Sequence, residues 1–330
     1  MGMLKYLFSR FGKINDMLNE YVQEELTLSR KLFIITDLAF SILIYGAGIT
    51  DYFQYRFYRL PPRERRKFMV YRQRMWLVRK LNQREKREIF DQKPLFNRTF
   101  NSYLGRQWLD MNSASYEEFC RFADENKRFL VKPVRGSHGL GIRVEKVSGG
   151  GSLEDLYKKL QAEEVLLEEL IVQHEELAAF NHSSVNTLRV VTLIDQAGQV
   201  NVMTANLRLG QGEFYADNFH HDGIAALLDP ESGRVVTPAV DKKLKMYTKH
   251  PVSGRQIKGF TVPCWAEVLA LVQEAALVVP AVRYVGWDVA VGYDNRPRLI
   301  EGNAAADPDL SQMPDQVGKW PLYRRVLKLK

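Results

Sequence analysis

Cysteine is nearly absent. The 330 residues hold two, Cys120 and Cys264, far apart and without pair spacing. So sparse a set argues against a disulfide framework and against structural zinc, and suits a reducing cytoplasm. Long hydrophobic runs are missing too. The most apolar stretch, residues 38–49, is shorter than the roughly 20 residues a spanning helix needs, and it reads as a buried helix. The opening MGMLKYLFSRFGKINDML lacks the continuous apolar core of a signal peptide. Met1-Gly2 opens like a myristoylation site, but Tyr6 stands where that motif needs Ser or Thr. No glycine run ends in Gly-Lys-Ser/Thr, which excludes a P-loop. No repeat or low-complexity tract stands out.

What remains is a globular composition, 45% hydrophobic and 26% charged, long enough for two or three lobes with sizeable cores. The net charge of +8 is unevenly placed. Residues 1–90 hold 18 Lys and Arg against 9 Asp and Glu, whereas residues 91–330 hold 29 against 30. The excess gathers in residues 56–87, where Arg63, Arg65, Arg66, Lys67, Arg72, Arg74, Arg79 and Lys80 alternate with aromatics. This segment reads as helices starting at Pro61-Pro62, with Phe68, Met69, Met75, Trp76 and Leu77 on an inner face. Its basic side is either a solvated helical face or a surface for an anionic bilayer, polysaccharide or nucleic acid. The near-neutral remainder argues against a protein organised around nucleic acid. No parallel-strand pattern precedes residue 100.

Two distant segments carry the chemistry. YVGWDVAVGY and RPRLIEGN are strand-like runs separated by Asp294-Asn295, a turn signal. A two-residue turn there makes residues whose numbers sum to 589 face each other, and Asp288 and Glu301 are such a pair. Directly opposite residues share a face, and Asn303 joins them at the period of two. Facing carboxylates repel unless a cation sits between them, and oxygen-only ligands suit Mg²⁺. Pro297 lets the register slip locally. Without a cation the hairpin would be an exposed one with scattered acids.

The other segment is FLVKPVRGSHGLGIRVEKV. A strand runs to Lys132, a flexible turn holds Gly136, Ser137, Gly139 and Gly141, and a second strand follows. Such a hairpin folds over phosphates with backbone N–H groups inward, and lysine adds a point charge. Its bland alternative is a mobile surface turn. Between the two segments lie a helix, SLEDLYKKLQAE, with Ser152 as N-cap, then strands EVLLEELI, VNTLRVVTLI and VNVMTANLRL. Arg189 and Arg208 sit inside apolar strands, so each needs a partner, a ligand phosphate or a buried acid.

The ordered set K-P-x-x-G-S-x-G-x-G, E-E-L-I, N-T-L-R, D-N-x-x-x-x-G, G-W-D and E-G-N resembles the ATP-grasp superfamily over about residues 91–315. It is most similar to the sugar-transfer-associated ATP-grasp proteins, and more distantly to glutamate ligases that modify a ribosomal protein. The resemblance implies an α+β ATP-grasp fold, two α+β lobes sandwiching ATP, with a helical basic region at 1–90, a small lobe at 91–172 and a large lobe at 173–330. It assigns Lys132, and more weakly Lys93, to the phosphates. Glu168, Glu169, Leu170 and Ile171 match the hinge at the adenine edge, and Glu175 or Glu176 the ribose carboxylate. Arg189 and Arg208 match the arginines facing the transferred phosphate or carboxylate substrate, and Asn218 the asparagine near the γ-phosphate. Asp288, Glu301 and Asn303 match the metal ligands. Asp222 stands where relatives show a glycine, which bears on the acceptor loop. His220 and His221 are the titratable groups nearby.

Members of this superfamily phosphorylate a carboxylate with ATP and Mg²⁺ and let an amine attack the acyl phosphate. The expected partners are small-molecule or glycan-linked carboxylates and amines in surface polysaccharide or envelope assembly. The expected place is the cytoplasm, with the membrane's inner face within reach of the basic region. A sugar-hydroxyl phosphotransferase and a non-catalytic nucleotide-binding scaffold are the rival readings.

Overall fold

Helices come first, because the early chain has 3.6-residue periodicity and no alternating runs. The structure, a computed structural model, describes residues 11–22, 26–134, 141–147, 152–212 and 223–329. Among these, no strand precedes Trp108. The longer early helices are α1 (Phe11–Tyr21), α2 (Leu28–Tyr45), α3 (Ile49–Gln54), α4 (Tyr71–Leu81), α5 (Arg84–Asp91) and α6 (Lys93–Thr99). α2 starts where the Thr27 hydroxyl accepts from the Arg30 N–H at 3.3 Å, and it stops at Gly46, in the left-handed region at φ 70°. A side chain at Gly46 would also run into Arg72.

The buried helix expected over 38–49 is therefore corrected in two ways. The helix ends at Tyr45, four residues before Ile49, and only one face is covered. Ile34, Leu38 and Tyr45 join Tyr52, Phe53 and Phe57 in a core cluster, while Phe40, Leu43 and Ile44 remain exposed. The basic stretch is likewise divided. Arg65 is buried, with Nη1 2.7 Å from Asp37, and Arg74 pairs with Asp307 at 2.5 Å. Phe68 and Met69 are buried but lie between helices, and the inner face of α4 is Leu77, Val78 and Leu81. Trp76 sits at the edge against Trp320, ring centroids 6.2 Å apart.

Two antiparallel sheets follow. The smaller contains β1 (Trp108–Asp110), β2 (Arg128–Pro133), β3 (Arg143–Lys146) and β4 (Val165–Glu169) in the order β1-β4-β2-β3. Helices α7 (Tyr116–Glu125) and α8 (Leu153–Ala162) cover it through Phe119, Phe122 and Leu160. Ser115 and Ser152 cap these helices, each accepting at 3.2 Å from an N–H three residues on.

The larger sheet contains β5 (Thr187–Ile194), β6 (Val200–Leu209), β7 (Ile224–Leu228), β8 (Ala239–Val240), β9 (Met246–Tyr247), β10 (Tyr284–Val291) and β11 (Pro297–Asn303). Their order is β11-β10-β5-β6-β7-β8-β9. Leu188, Val190, Leu207, Trp287 and Val289 face Val268, Val272 and Ala275 of α9 (Trp265–Val278) and form the main core, which Phe96 and Phe100 also join. Because strand side chains alternate, the residues between them project from the opposite face. Residues 170–174 pass from one sheet to the other. The His174 N–H donates to Val291 O at 2.8 Å, and the Tyr293 N–H donates to Val172 O at 3.0 Å.

Candidate functional site

The β10–β11 hairpin sets Asp288 opposite Glu301, as expected, but by a different route. The turn is three residues long, not two. Gly292 N–H bonds to Arg296 O, Asn295 N–H bonds to Gly292 O, and Asn295 takes φ 60°. Near the tip Val291 pairs with Pro297 and Val289 with Leu299. A β-bulge then passes over Ile300, and Asp288 meets Glu301. The longer turn and the bulge offset each other. Gly286 lies opposite Asn303, so Glu301 and Asn303 share the Asp288 face.

The row continues across the sheet. Asp288 pairs with Arg189 of β5, and Arg189 with Asn206 of β6. Arg189 Nε donates to Asp288 Oδ1, and Arg208 Nη2 lies 2.9 Å from Asp288 Oδ2. Arg208 also donates to the Thr187 hydroxyl, at 2.6 Å from Nη2. The buried partner that both strand arginines required is therefore an acid. Burial alone would raise the Asp288 carboxyl, but Arg189 and then Arg208 outweigh it and hold it below the usual range. Glu301 is exposed as a residue, yet its carboxyl is pushed up by the surrounding protein and by the facing Asp288 carboxylate. The two carboxylates face each other across the hairpin, and a shared proton or a cation would relieve their repulsion.

Two facing carboxylates and the amide oxygen of Asn303 are hard oxygen donors, and this set fits Mg²⁺. Asn303 Oδ1 accepts from Ala305 N–H at 2.8 Å, which fixes its orientation. Among the described residues no cluster of three or more His, Cys, Asp or Glu is arranged to hold a metal. A cation at Asp288 and Glu301 would thus complete its shell with substrate phosphates, as Mg²⁺ usually does.

A second charged group faces this row from the small sheet. Lys132 Nζ lies 2.7 Å from Glu168 Oε2, and Arg106 Nε lies 2.8 Å from the same oxygen. Asn97 Nδ2 donates to Glu168 Oε1 at 3.2 Å. All four side chains are buried. Burial would raise the Glu168 carboxyl, but Arg106 and Lys132 hold it far below the usual range. The Glu168 side chain thus balances Lys132 from inside the core, while the hinge expectation concerns its backbone. Arg106 and Asn97 escaped sequence reasoning. Arg106 Nη1 donates to Leu299 O at 2.6 Å and Nη2 to Ile300 O at 3.4 Å, so it spans from β4 to the bulge. Lys93 opens α6, its ammonium lowered by burial despite Glu301, with Lys132 reinforcing the shift.

The remaining residues fall around this centre or outside it. Gly141 closes the glycine segment at φ 76°, and a Cβ there would come 2.8 Å from Pro133 Cγ, so the position requires glycine. Gly136, Ser137 and Gly139 lie outside the described residues, as do Asn218 and His220. Glu169 ends β4, its N–H donating to Gln107 O at 2.9 Å and its carboxylate accepting from Gln107 N–H at 3.0 Å. Leu170 and Ile171 begin the crossing between sheets. Glu175 and Glu176 are both exposed in one helical turn capped by His174, and nothing separates them as ribose partners. A structured histidine appears elsewhere. His250, buried and lowered by desolvation, holds Gly210 O at 2.9 Å, just after β6.

Several solved structures of ligases are partly similar to this chain. ATP-grasp ligase PsnB, solved with a minimal precursor, is 18% identical at TM-score 0.46 over 74% of this chain and 63% of its own. The ADP complex of the N5-carboxyaminoimidazole ribonucleotide synthetase purK is 11% identical at TM-score 0.48 over 79% and 58%. An L-amino acid ligase from Bacillus licheniformis is 13% identical at TM-score 0.39 over 66% and 41%. This chain thus spans less than two thirds of each of these proteins. No curated protein sequence matches it. The sugar-transfer associated ATP-grasp family matches residues 72–328. That match takes in both sheets, the Lys132–Glu168 group and the Asp288–Glu301 pair, and the chain belongs to this family.

Proposed function

We propose that the chain is an ATP- and Mg²⁺-dependent carboxylate–amine ligase. The observation that carries this reading is the Asp288–Glu301 pair, flanked by Arg189 and Arg208 and faced by Lys132 and Lys93. Lys132 and Lys93 would hold the phosphates of ATP, with the backbone of residues 136–141 closing over them. The crossing segment from Glu168 to Ile171 would take the adenine edge, and Glu175 or Glu176 the ribose. Mg²⁺, when bound through Asp288, Glu301 and Asn303, would neutralise charge on the phosphate oxygens.

Arg189 and Arg208 would orient the acceptor carboxylate, a role supported by the carboxylate they already grip. One carboxylate oxygen attacks the γ-phosphorus and ADP leaves, giving an acyl phosphate. The amine nitrogen then attacks the acyl carbon, phosphate leaves and the nitrogen loses a proton. Positioning and charge neutralisation supply the catalysis, so no protein nucleophile is needed. Asn218 and His220 would act from the loop after β6. The family's association with sugar transfer supports a substrate in polysaccharide or envelope assembly, such as an amino acid joined to a sugar acid. The reaction would run in the cytoplasm, where ATP is supplied.

Calorimetry of ATP binding with and without Mg²⁺ tests the site. Glu301→Gln is the informative variant, because it leaves the arginine pairs on Asp288 intact. Wild type should bind more tightly with Mg²⁺, and Glu301→Gln should lose about tenfold or more of that gain. Equal binding with and without Mg²⁺, or an unchanged variant, would remove the metal assignment. Phosphate release that needs both an amine and a carboxylate identifies the ligase. Release that needs only a sugar alcohol would identify a phosphotransferase, and binding without turnover a scaffold. The metal gain should also fade on acidification at a higher pH than a free glutamate would require. The raised Glu301 carboxyl must lose its proton to bind the ion, and it holds that proton to higher pH.

A further inference from the structure

One long apolar face of the N-terminal helices is uncovered. α2 turns Ile34, Leu38, Ser41 and Tyr45 into the core. On its other side Leu28, Leu32, Phe33, Phe40, Leu43 and Ile44 are 75, 56, 47, 49, 57 and 50% exposed. They follow the i, i+4 spacing of a single helical side over about 24 Å. Two polar residues on that side are satisfied within the chain. The Thr36 hydroxyl lies 3.0 and 2.9 Å from the carbonyls of Leu32 and Phe33, and Ser29 lies 3.1 Å from Thr27. The helix has one acid, Asp37, which turns to Arg65 and to the Tyr52 hydroxyl. No charge interrupts the face.

Cations rim it. The Arg30 guanidinium lies 5.2 Å from the centroid of the Phe33 ring. At the other end Arg72 donates to Leu43 O at 2.8 Å and Ile44 O at 3.0 Å. These belong to the part of the chain that carries 18 basic against 9 acidic residues.

We infer that this face docks on an anionic lipid bilayer, with α2 lying in the headgroup plane. Charge complementarity selects the occupant. Aliphatic and aromatic side chains enter the acyl boundary while Arg30 and Arg72 meet anionic headgroups. A second copy of the chain meeting this face symmetrically would bring the same cations toward their own counterparts, which repel. The contact is in-plane, since among the described residues no helix is long and apolar enough to cross a membrane. The inference stands apart from the ligase reading, because none of these residues touches the Asp288–Glu301 row.

Flotation of the full chain with phosphatidylcholine vesicles, with and without phosphatidylglycerol, tests it. Wild type should float only with the anionic vesicles and release at high salt. Leu32→Ser/Phe40→Ser should lower the partition about tenfold or more, and Arg30→Gln severalfold. The serine changes sit on exposed positions, and thermal melts with gel filtration check that the variants fold. The charge variant and the salt series decide the matter if the serine pair does not fold. Wild type that ignores vesicles, binds both kinds alike, or binds undiminished in the serine variant overturns the proposal. So does a wild-type dimer that the serine pair converts to monomer without any vesicle binding, which would make a second copy the occupant.

Discussion

Glu168 shows how much one buried charge can organise. Its carboxylate is shared by Lys132, Arg106 and Asn97, donors drawn from a strand, a loop and a helix. Replacing it with glutamine keeps the shape but leaves two cations without a counter-charge. Removing one partner of a buried pair typically costs about 3–5 kcal/mol. Glu168→Gln should therefore lower stability by that order in denaturant titrations. Its carboxyl is held down in the fold, so the wild-type advantage is present above the ordinary glutamate range. It should disappear as pH falls through the depressed folded value. At this scale the sequence was legible where residues meet by local rules. Asp288 and Glu301 are partners within one hairpin, so strand alternation brings them together. Arg106 was not legible, because its carbonyl partner on Leu299 lies 193 residues away and a backbone oxygen leaves no mark on composition.

Helices and strands declared themselves where periodicity was strong. Ser152 capping α8 and the β2–β3 and β5–β6 hairpins match expectation because cap and turn chemistry is local. The second face of α2 was hidden, since hydropathy alone does not tell an apolar face that is covered from one that is not. A similar tension holds the chain after α2. Asp51, at the start of α3, accepts from the N–H groups of Gly48 at 2.7 Å and Tyr71 at 2.8 Å, yet burial pushes its carboxyl up to about 6. An acid raised in the folded state binds a proton there that the unfolded chain has already released. Its contribution is therefore largest at low pH and declines as pH rises to about 6. Asp51→Asn keeps the acceptor without the charge. Its melting temperature should exceed wild type above pH 6, and the gap should close toward pH 4; a constant gap would contradict the assignment.

Across the molecule, Arg106 is a physical tie between the sheets. It holds Glu168 of the small sheet, two carbonyls of β11, and Leu104 O at 3.2 Å. Arg106→Met should cost about 2–4 kcal/mol. Hydrogen exchange should quicken in β4 and β11 while α2 keeps its protection. Uniform quickening would mean general destabilisation, with no specific tie. The helical start was legible because the early chain lacks strand-like runs, and the longer strands were legible as runs rich in Val, Ile and Leu. The way the two sheets are tied was not, because it depends on contacts that only the closed chain makes. The bulge at Ile300 bears on how that closure finds its place. On the tip side of Ile300 the odd-numbered Leu299 lies in the core, and beyond it the odd-numbered Glu301 lies at the site. A straightened strand would carry the Glu301 carboxylate under Trp287, where an unpaired charge is costly. The acid proposed for the metal is thus also one whose charge disfavours the slipped hairpin, so the same side chain would serve the site and the register of its own strand.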